Sequence, residues 1–272
     1  MGAIDLRSIA TPLAECLCFA LGPVDPQVIA SLEEGRYDQA PVVDQAGIPI
    51  GILPVGAAKG LLSQSSPLRS TDPEILHGCI ETNASLNQLL GALEEADAVL
   101  LRDTDDADYH GLLTLSDLNR HGFRSVLYGV LAELEAVLAR MVEISFTNPW
   151  DWLEKLNEDA QVRLLGSWQL AQRRNVDIGP LASCTLTELL RITATFEGLR
   201  LAAGFRARAQ FDKAFGSLPD LRNRVMHPVR PLILKRADVE SLNQTMAAVR
   251  QLTGDVREYL KNHGFDSRVG WL

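Results

Sequence analysis

Arg222, Asn223 and His227 fall together in the stretch Leu221-Arg222-Asn223-Arg224-Val225-Met226-His227-Pro228. A guanidinium holds a phosphate, and an imidazole moves protons near neutral pH. Side by side, the two suit cleavage of a phosphodiester. The ordinary alternative is a helix end at which an arginine makes a salt bridge and a histidine caps carbonyls.

Either role needs a helix. Phe215-Gly216-Ser217-Leu218-Pro219 on one side and Val229-Arg230-Pro231 on the other are turn-forming, leaving room for about two helical turns. Asn223 and His227 are four apart and share a helix face, with Arg222 flanking it. Pro228 disfavours helical geometry at His227, so the helix is expected to stop there.

The surrounding sequence reads as helices throughout. Apolar residues recur at helical spacing over 123–144, from Val126 and Leu127 to Met141. Asn148 and Pro149 start a short helix through Trp150 and Trp152, whose rings are expected in the core or an interface. Further helices are expected over 158–174, from Thr185 or Thr187 to about 203, through 205–215, and over 237–261. Residues 122–272 thus read as an all-α bundle with short connections.

The first half alternates differently. After a weakly patterned 1–24, Asp25 and Pro26 begin a helix that Gly35 ends. Strands at 40–43 and 48–53 flank the hairpin turn Asp44-Gln45-Ala46-Gly47, and a helix spans 55–62. The same order returns as a helix over 85–95, a strand at 98–101, a polar loop at 104–108, a strand at 109–114, and a helix opening at Thr114-Leu115-Ser116-Asp117-Leu118. Its last helix runs almost directly into 123–144, with His121-Gly122 as the only punctuation. Gly51-Ile52-Leu53 and Gly111-Leu112-Leu113 stand at equivalent points 60 residues apart, the mark of an internal repeat.

Two families are resembled. Arg222-Asn223 followed by His227, late in an all-helical segment and before a proline, resembles the Arg-polar-x-x-x-His motif of HEPN domains. The resemblance implies a metal-independent ribonuclease in which Arg222 stabilises the phosphorane, His227 transfers the proton and Asn223 orients. It also implies a homodimer with two motifs across one interface. Gln39-Ala40-Pro41-Val42-Val43-Asp44 and Gly111-Leu112-Leu113-Thr114-Leu115-Ser116-Asp117-Leu118 resemble a tandem pair of CBS domains, which also tend to dimerise. There the Gly-x-x-Thr-x-x-Asp pattern binds adenosine nucleotides. The resemblance gives Thr114 the phosphate role and Asp117 the ribose role, with AMP, ADP or ATP as regulatory ligand. A capping box would explain the same pair without a ligand. The first repeat has Pro54 and Ala57 at the matching points and can offer neither group. Pro41, Gly47 and Gly51 are expected as turn and strand-edge residues rather than ligand contacts.

Composition bounds the rest. With 272 residues, 46% hydrophobic and 22% charged, the chain has material for two packed domains. No apolar run approaches the ~20 residues of a membrane span. No basic region precedes a hydrophobic core at the N-terminus, so no secretion signal is expected. Cys16, Cys18, Cys79 and Cys184 make no metal-ligand spacing and read as reduced thiols of a cytoplasmic protein. The five histidines are scattered, and no metal site is expected. Residues 1–121 carry 6 Lys+Arg against 18 Asp+Glu, and residues 122–272 carry 20 against 17. Within 191–236, 10 basic residues meet only Glu197, Asp212 and Asp220, a basic stretch suited to an RNA backbone.

The expectation is therefore an α+β CBS pair over 1–121 joined to an all-α, HEPN-like bundle over 122–272. The first would sense an adenosine nucleotide and the second would cut RNA with no catalytic cofactor, in antiviral defence or as a toxin. The near-continuous helix between them suggests a coupling route. The alternative is a catalytically inactive module that binds nucleotide and a nucleic-acid or protein partner.

Overall fold

The computed structural model describes residues 5–103 and 108–265. The chain forms two compact units, Met1–Val126 with Pro231–Asn243, and Leu127–Arg230 with Gln244–Leu272. The division expected from sequence lay at 121/122.

In the first unit, two-residue strands β1 (Thr11–Pro12) and β2 (Phe19–Ala20) precede helix α1 (Pro26–Glu34). The Asp25 carboxylate accepts from the Gln27 N–H at 2.8 Å, the expected N-cap, and Pro26 occupies the first turn. Strands β3 (Gln39–Val43) and β4 (Pro49–Pro54) and helix α2 (Val55–Ser63) complete the first repeat. The turn between the strands is held by Asp44, whose carboxylate accepts from Ala46 and Ile48 N–H, while Gly47 takes φ +80°. The second repeat has β5 (Cys79–Glu81), α3 (Leu86–Glu95), β6 (Ala98–Arg102) and β7 (Tyr109–Thr114). Ser85 and Gln88 form a capping box at α3. The polar loop expected at 104–108 lies, apart from Asp108, outside the described residues.

The repeat is exact in topology. β2 runs parallel to β3, which runs antiparallel to β4; β5 runs parallel to β6, which runs antiparallel to β7. Gly51 pairs with Val42, and Gly111 with Leu101. A register shift follows at the matching place in each hairpin, between Val42 and Val43 and between Leu101 and Arg102. Ile52 of β4 packs with Ala98, Leu100 and Leu112 from the other sheet. The first repeat has its own core, in which Phe19, Ile29, Leu32, Val42 and Leu53 are buried.

Three expectations need correction. The weakly patterned start contains β1 and β2, and β1 pairs antiparallel with β7. The helix expected to open at Thr114 is a 3-10 turn, Leu115–Asn119, because Arg120 is extended at φ −75°, ψ 162°. Helix α4 (His121–Ser145) starts afresh beyond it. Gly122 is not punctuation but lies inside α4, where a Cβ would come within 2.9 Å of the Ser8 carbonyl oxygen. Asn119 fastens the first residues of the 231–243 segment: its Oδ1 accepts from Leu232 and Ile233 N–H, and its Nδ2 donates to the Ile233 carbonyl.

The second unit is helical. Beyond α4 come α5 (Trp150–Leu153), α6 (Glu158–Arg173), α7 (Leu186–Thr195), α8 (Glu197–Ala202), α9 (Arg208–Phe215), α10 (Leu218–Met226) and α11 (Arg236–Asn262). Asn157 caps α6, and Thr185, not Thr187, caps α7 with Glu188 as its partner. The single helix expected up to residue 203 breaks at Phe196, which is extended and packs its ring 4.6 Å from that of Phe146. Arg200 donates to the Ala194 carbonyl freed by the break. Trp152 is buried, as expected, whereas Trp150 is exposed.

Candidate functional site

Helix α10 carries the first candidate site. Leu218, Leu221 and Val225 are buried, which fixes the helix rotation and turns Asn223, Met226 and His227 outward. The helix ends at Met226, two residues before the proline, with His227 outside helical geometry as Pro228 requires. His227 is the C-cap, at φ −112°, ψ 92°, and its N–H donates to the Asn223 carbonyl at 3.0 Å. Its own carbonyl accepts from the Arg230 N–H at 2.9 Å. The imidazole is exposed.

Arg222 is half-exposed and faces Glu135 of α4, with Nε 3.5 Å from Oε1. This partner lies 87 residues away in the chain and carries no signal in the sequence. Two of the three acids within the basic stretch are also engaged, Asp220 with Arg224 and Asp212 with Arg208. All three expected residues thus stand on or beside the last turn of one short helix. Two are open to solvent, and one is anchored by a carboxylate.

The second candidate site is a cavity of about 340 Å³ in the first unit. Thr114, Ser116 and Asp117 from the second repeat line it together with Tyr37, Gln39 and Pro41 from the first. β3 of the first repeat and the end of β7 of the second thus both contribute to the wall. Pro41, expected only as a strand-edge residue, is on this wall.

Asp117 is buried at 1% exposure and already engaged. Its Oδ2 accepts from Thr114 N–H at 2.7 Å and from Thr114 Oγ1 at 2.9 Å, closing a capping box. Its Oδ1 lies 2.8 Å from Arg120 Nη1, an ion pair whose angles fall short of a hydrogen bond. Arg120 Nη1 also donates to Thr11 Oγ1 at 3.0 Å. A ribose reaching Asp117 therefore meets an oxygen that Arg120 guards. Arg120 escaped the sequence reading, although its position three residues after Asp117 is the spacing of a helical ion pair.

Cys16 also lines the cavity. Its thiol is pushed up to about 11, first by burial and then by the negative fields of Cys18, Asp117 and Glu15. Among the described residues no group of three or more His, Cys, Asp or Glu could hold a metal ion, and no helix is long and apolar enough to cross a membrane.

No family model and no curated protein matches the sequence. Solved structures similar to its first part are CBS domain proteins. A CBS domain-containing protein of unknown function from Bacillus anthracis is 12% identical over 43% of this chain and 91% of its own, at a TM-score of 0.36. CbpB in complex with c-di-AMP is 15% identical over 42% and 81%, at 0.34. The CBS domain of a bacterial CNNM/CorC family Mg2+ transporter in complex with ATP is 20% identical over 42% and 84%, at 0.33. Likeness at this level carries neither ligand nor activity across.

Proposed function

We propose that the chain is an adenosine-nucleotide-regulated endoribonuclease, a CBS pair joined to a HEPN domain that cleaves RNA without a metal. The observation that carries the catalytic half is the exposure of Asn223 and His227 beside a half-exposed Arg222 at the end of α10. In the proposed reaction the 2′-oxygen of the RNA bonds to the adjacent phosphorus and the 5′-oxygen leaves. Arg222 stabilises the charge on the phosphorane oxygens. His227 carries the proton between the hydroxyl and the leaving oxygen, and Asn223 orients it. A homodimer would set two such motifs on one substrate. The sensing half is supported by the cavity that joins Thr114 and Asp117 to Gln39 and Pro41.

The test is degradation of RNA by the pure chain, compared with His227→Ala and Arg222→Ala, each with and without AMP, ADP or ATP. Loss of at least a hundredfold in both variants is expected, since general acid–base catalysis alone contributes about 10²–10⁴-fold. Activity unchanged in both would assign the cleavage to a contaminant. A nucleotide that demonstrably binds but leaves the rate unchanged would remove the regulatory link.

A second reading is favoured by the Arg222–Glu135 pair, which spends on a carboxylate the charge a phosphate would need. On that reading the second unit binds RNA or a protein and cuts nothing. Cleavage absent at every nucleotide concentration, with RNA still bound, would select it.

A further inference from the structure

We infer that the cavity of the first unit admits an adenosine ligand with at most one phosphate, and discriminates against ADP and ATP. The inference rests on the reading of this cavity as a nucleotide site and adds which nucleotides it accepts.

The charges lining the cavity decide it. Glu15, Asp38 and Asp117 are set against Arg36 and Arg120. The charge of Arg120 is already balanced by Asp117, with Nη1 2.8 Å from Oδ1 and donating to the Thr11 hydroxyl. Among the described residues no ion pair forms at Glu15, Arg36 or Asp38. That leaves one uncompensated guanidinium and two uncompensated carboxylates around the space. A single phosphate has Arg36 and the Thr114 hydroxyl on the wall to meet it, with Asp117 left for the ribose. Each further phosphate adds negative charge beside Glu15 and Asp38 with no cation to receive it. The Cys16 thiol on the same wall is pushed up first by burial, then by Cys18, Asp117 and Glu15.

Size and shape agree with the charge. At about 340 Å³ the space is near the lower end of the roughly 300–1,000 Å³ of small-molecule sites. Leu17, Pro41 and Leu112 give it an apolar wall for a base. Tyr37 adds an aromatic ring, packed so closely over Gly35 that a Cβ there would lie 2.5 Å from ring carbon Cε2. Arg36, at φ +57°, is the left-handed residue that ends α1: its N–H donates to the Glu33 carbonyl and that of Tyr37 to the Leu32 carbonyl, which sets the backbone of this wall.

The test is isothermal titration of the full chain with adenosine, AMP, ADP and ATP, in EDTA at low ionic strength. Adenosine and AMP are expected to bind, with each added phosphate weakening binding about five- to tenfold, the cost of a like charge at the separation of neighbouring surface groups. Raising the salt should narrow the gap. The double variant Glu15→Gln, Asp38→Asn alters two exposed side chains and should tighten ATP about tenfold or more while changing AMP less. ATP binding as tightly as AMP in the unaltered chain overturns the inference while leaving the nucleotide site standing. A double variant that leaves the AMP-to-ATP ratio unchanged overturns its electrostatic cause. If none of the four ligands binds, the nucleotide reading falls and takes the inference with it.

Discussion

Asp117→Ala tests whether the box at the end of β7 holds the first unit together without any ligand. The substitution removes the acceptor of two hydrogen bonds, from Thr114 N–H at 2.7 Å and Thr114 Oγ1 at 2.9 Å. Hydrogen bonds to a charged group contribute about 1.5–3 kcal/mol each, and two on one oxygen give less than twice that. The ion pair with Arg120 adds little, because that guanidinium is 55% exposed and such pairs are worth about 0.2–1 kcal/mol. The expected loss is therefore about 2–4 kcal/mol. For a unit of this size that corresponds to a fall in melting temperature of about 8–15 °C. Thr114→Val is the control: it keeps the backbone N–H and loses only the hydroxyl, so about 1 kcal/mol and a few degrees are expected. Circular dichroism melts of the nucleotide-free chain measure both. An Asp117→Ala melt within about 2 °C of the unaltered chain would refute the reasoning and leave the carboxylate kept for a ligand alone.

Three further outcomes follow from single contacts. Glu135→Gln frees Arg222 at a cost below about 1 kcal/mol, so the fold should persist, and on the proposed function RNA binding should strengthen and its salt dependence steepen, read by fluorescence anisotropy at two salt concentrations. Burial first, with Glu188 adding and Arg163 opposing, pushes the Cys184 thiol from its ordinary 9.0 up to about 12. The folded state thus holds that proton more tightly than the unfolded chain, and the associated stability is whole below about pH 9 and lost as pH climbs towards 12. Urea midpoints at pH 8 and about pH 10.5 should diverge, and Cys184→Ala should reduce the divergence. Gly111→Ala places a methyl 2.4 Å from the Thr11 carbonyl oxygen and should cost about 1–3 kcal/mol, read by chemical denaturation, whereas Gly91→Ala, with open space around it, should be neutral or stabilising.

The elements legible in the sequence were those whose cause is local. Asp25 announces a helix start, and Thr185 or Thr187 another; in the structure Asp25 and Thr185 accept from the first turn, as do Ser85 and Asn157 where helices were expected from 85 and 158. The two longer strands of each repeat were legible because their apolar runs flank a turn. β1, β2 and β5 were not, since strands of two or three residues show no alternation and exist only through their neighbours. The break at Phe196 was not read from the sequence, and there the ring packs against that of Phe146, 50 residues away. At the candidate sites, the spacing of Arg222, Asn223 and His227 and the Thr114–Asp117 pair could be read directly. Glu135 beside Arg222 and Thr11 beside Arg120 could not, because only the folded chain brings them near.

The short strand β1 has a consequence out of proportion to its two residues. By lying along β7 it occupies hydrogen-bonding groups that would otherwise face outward, and Leu76 does the same for β4 through its paired hydrogen bonds with Ile52. A bare strand border is a template for another molecule's backbone. Removing residues 5–12 would uncover the flank of β7 and invite copies of the protein to add to one another's sheets, a self-association that would grow with concentration and that proline substitutions at the newly open positions of β7 should suppress.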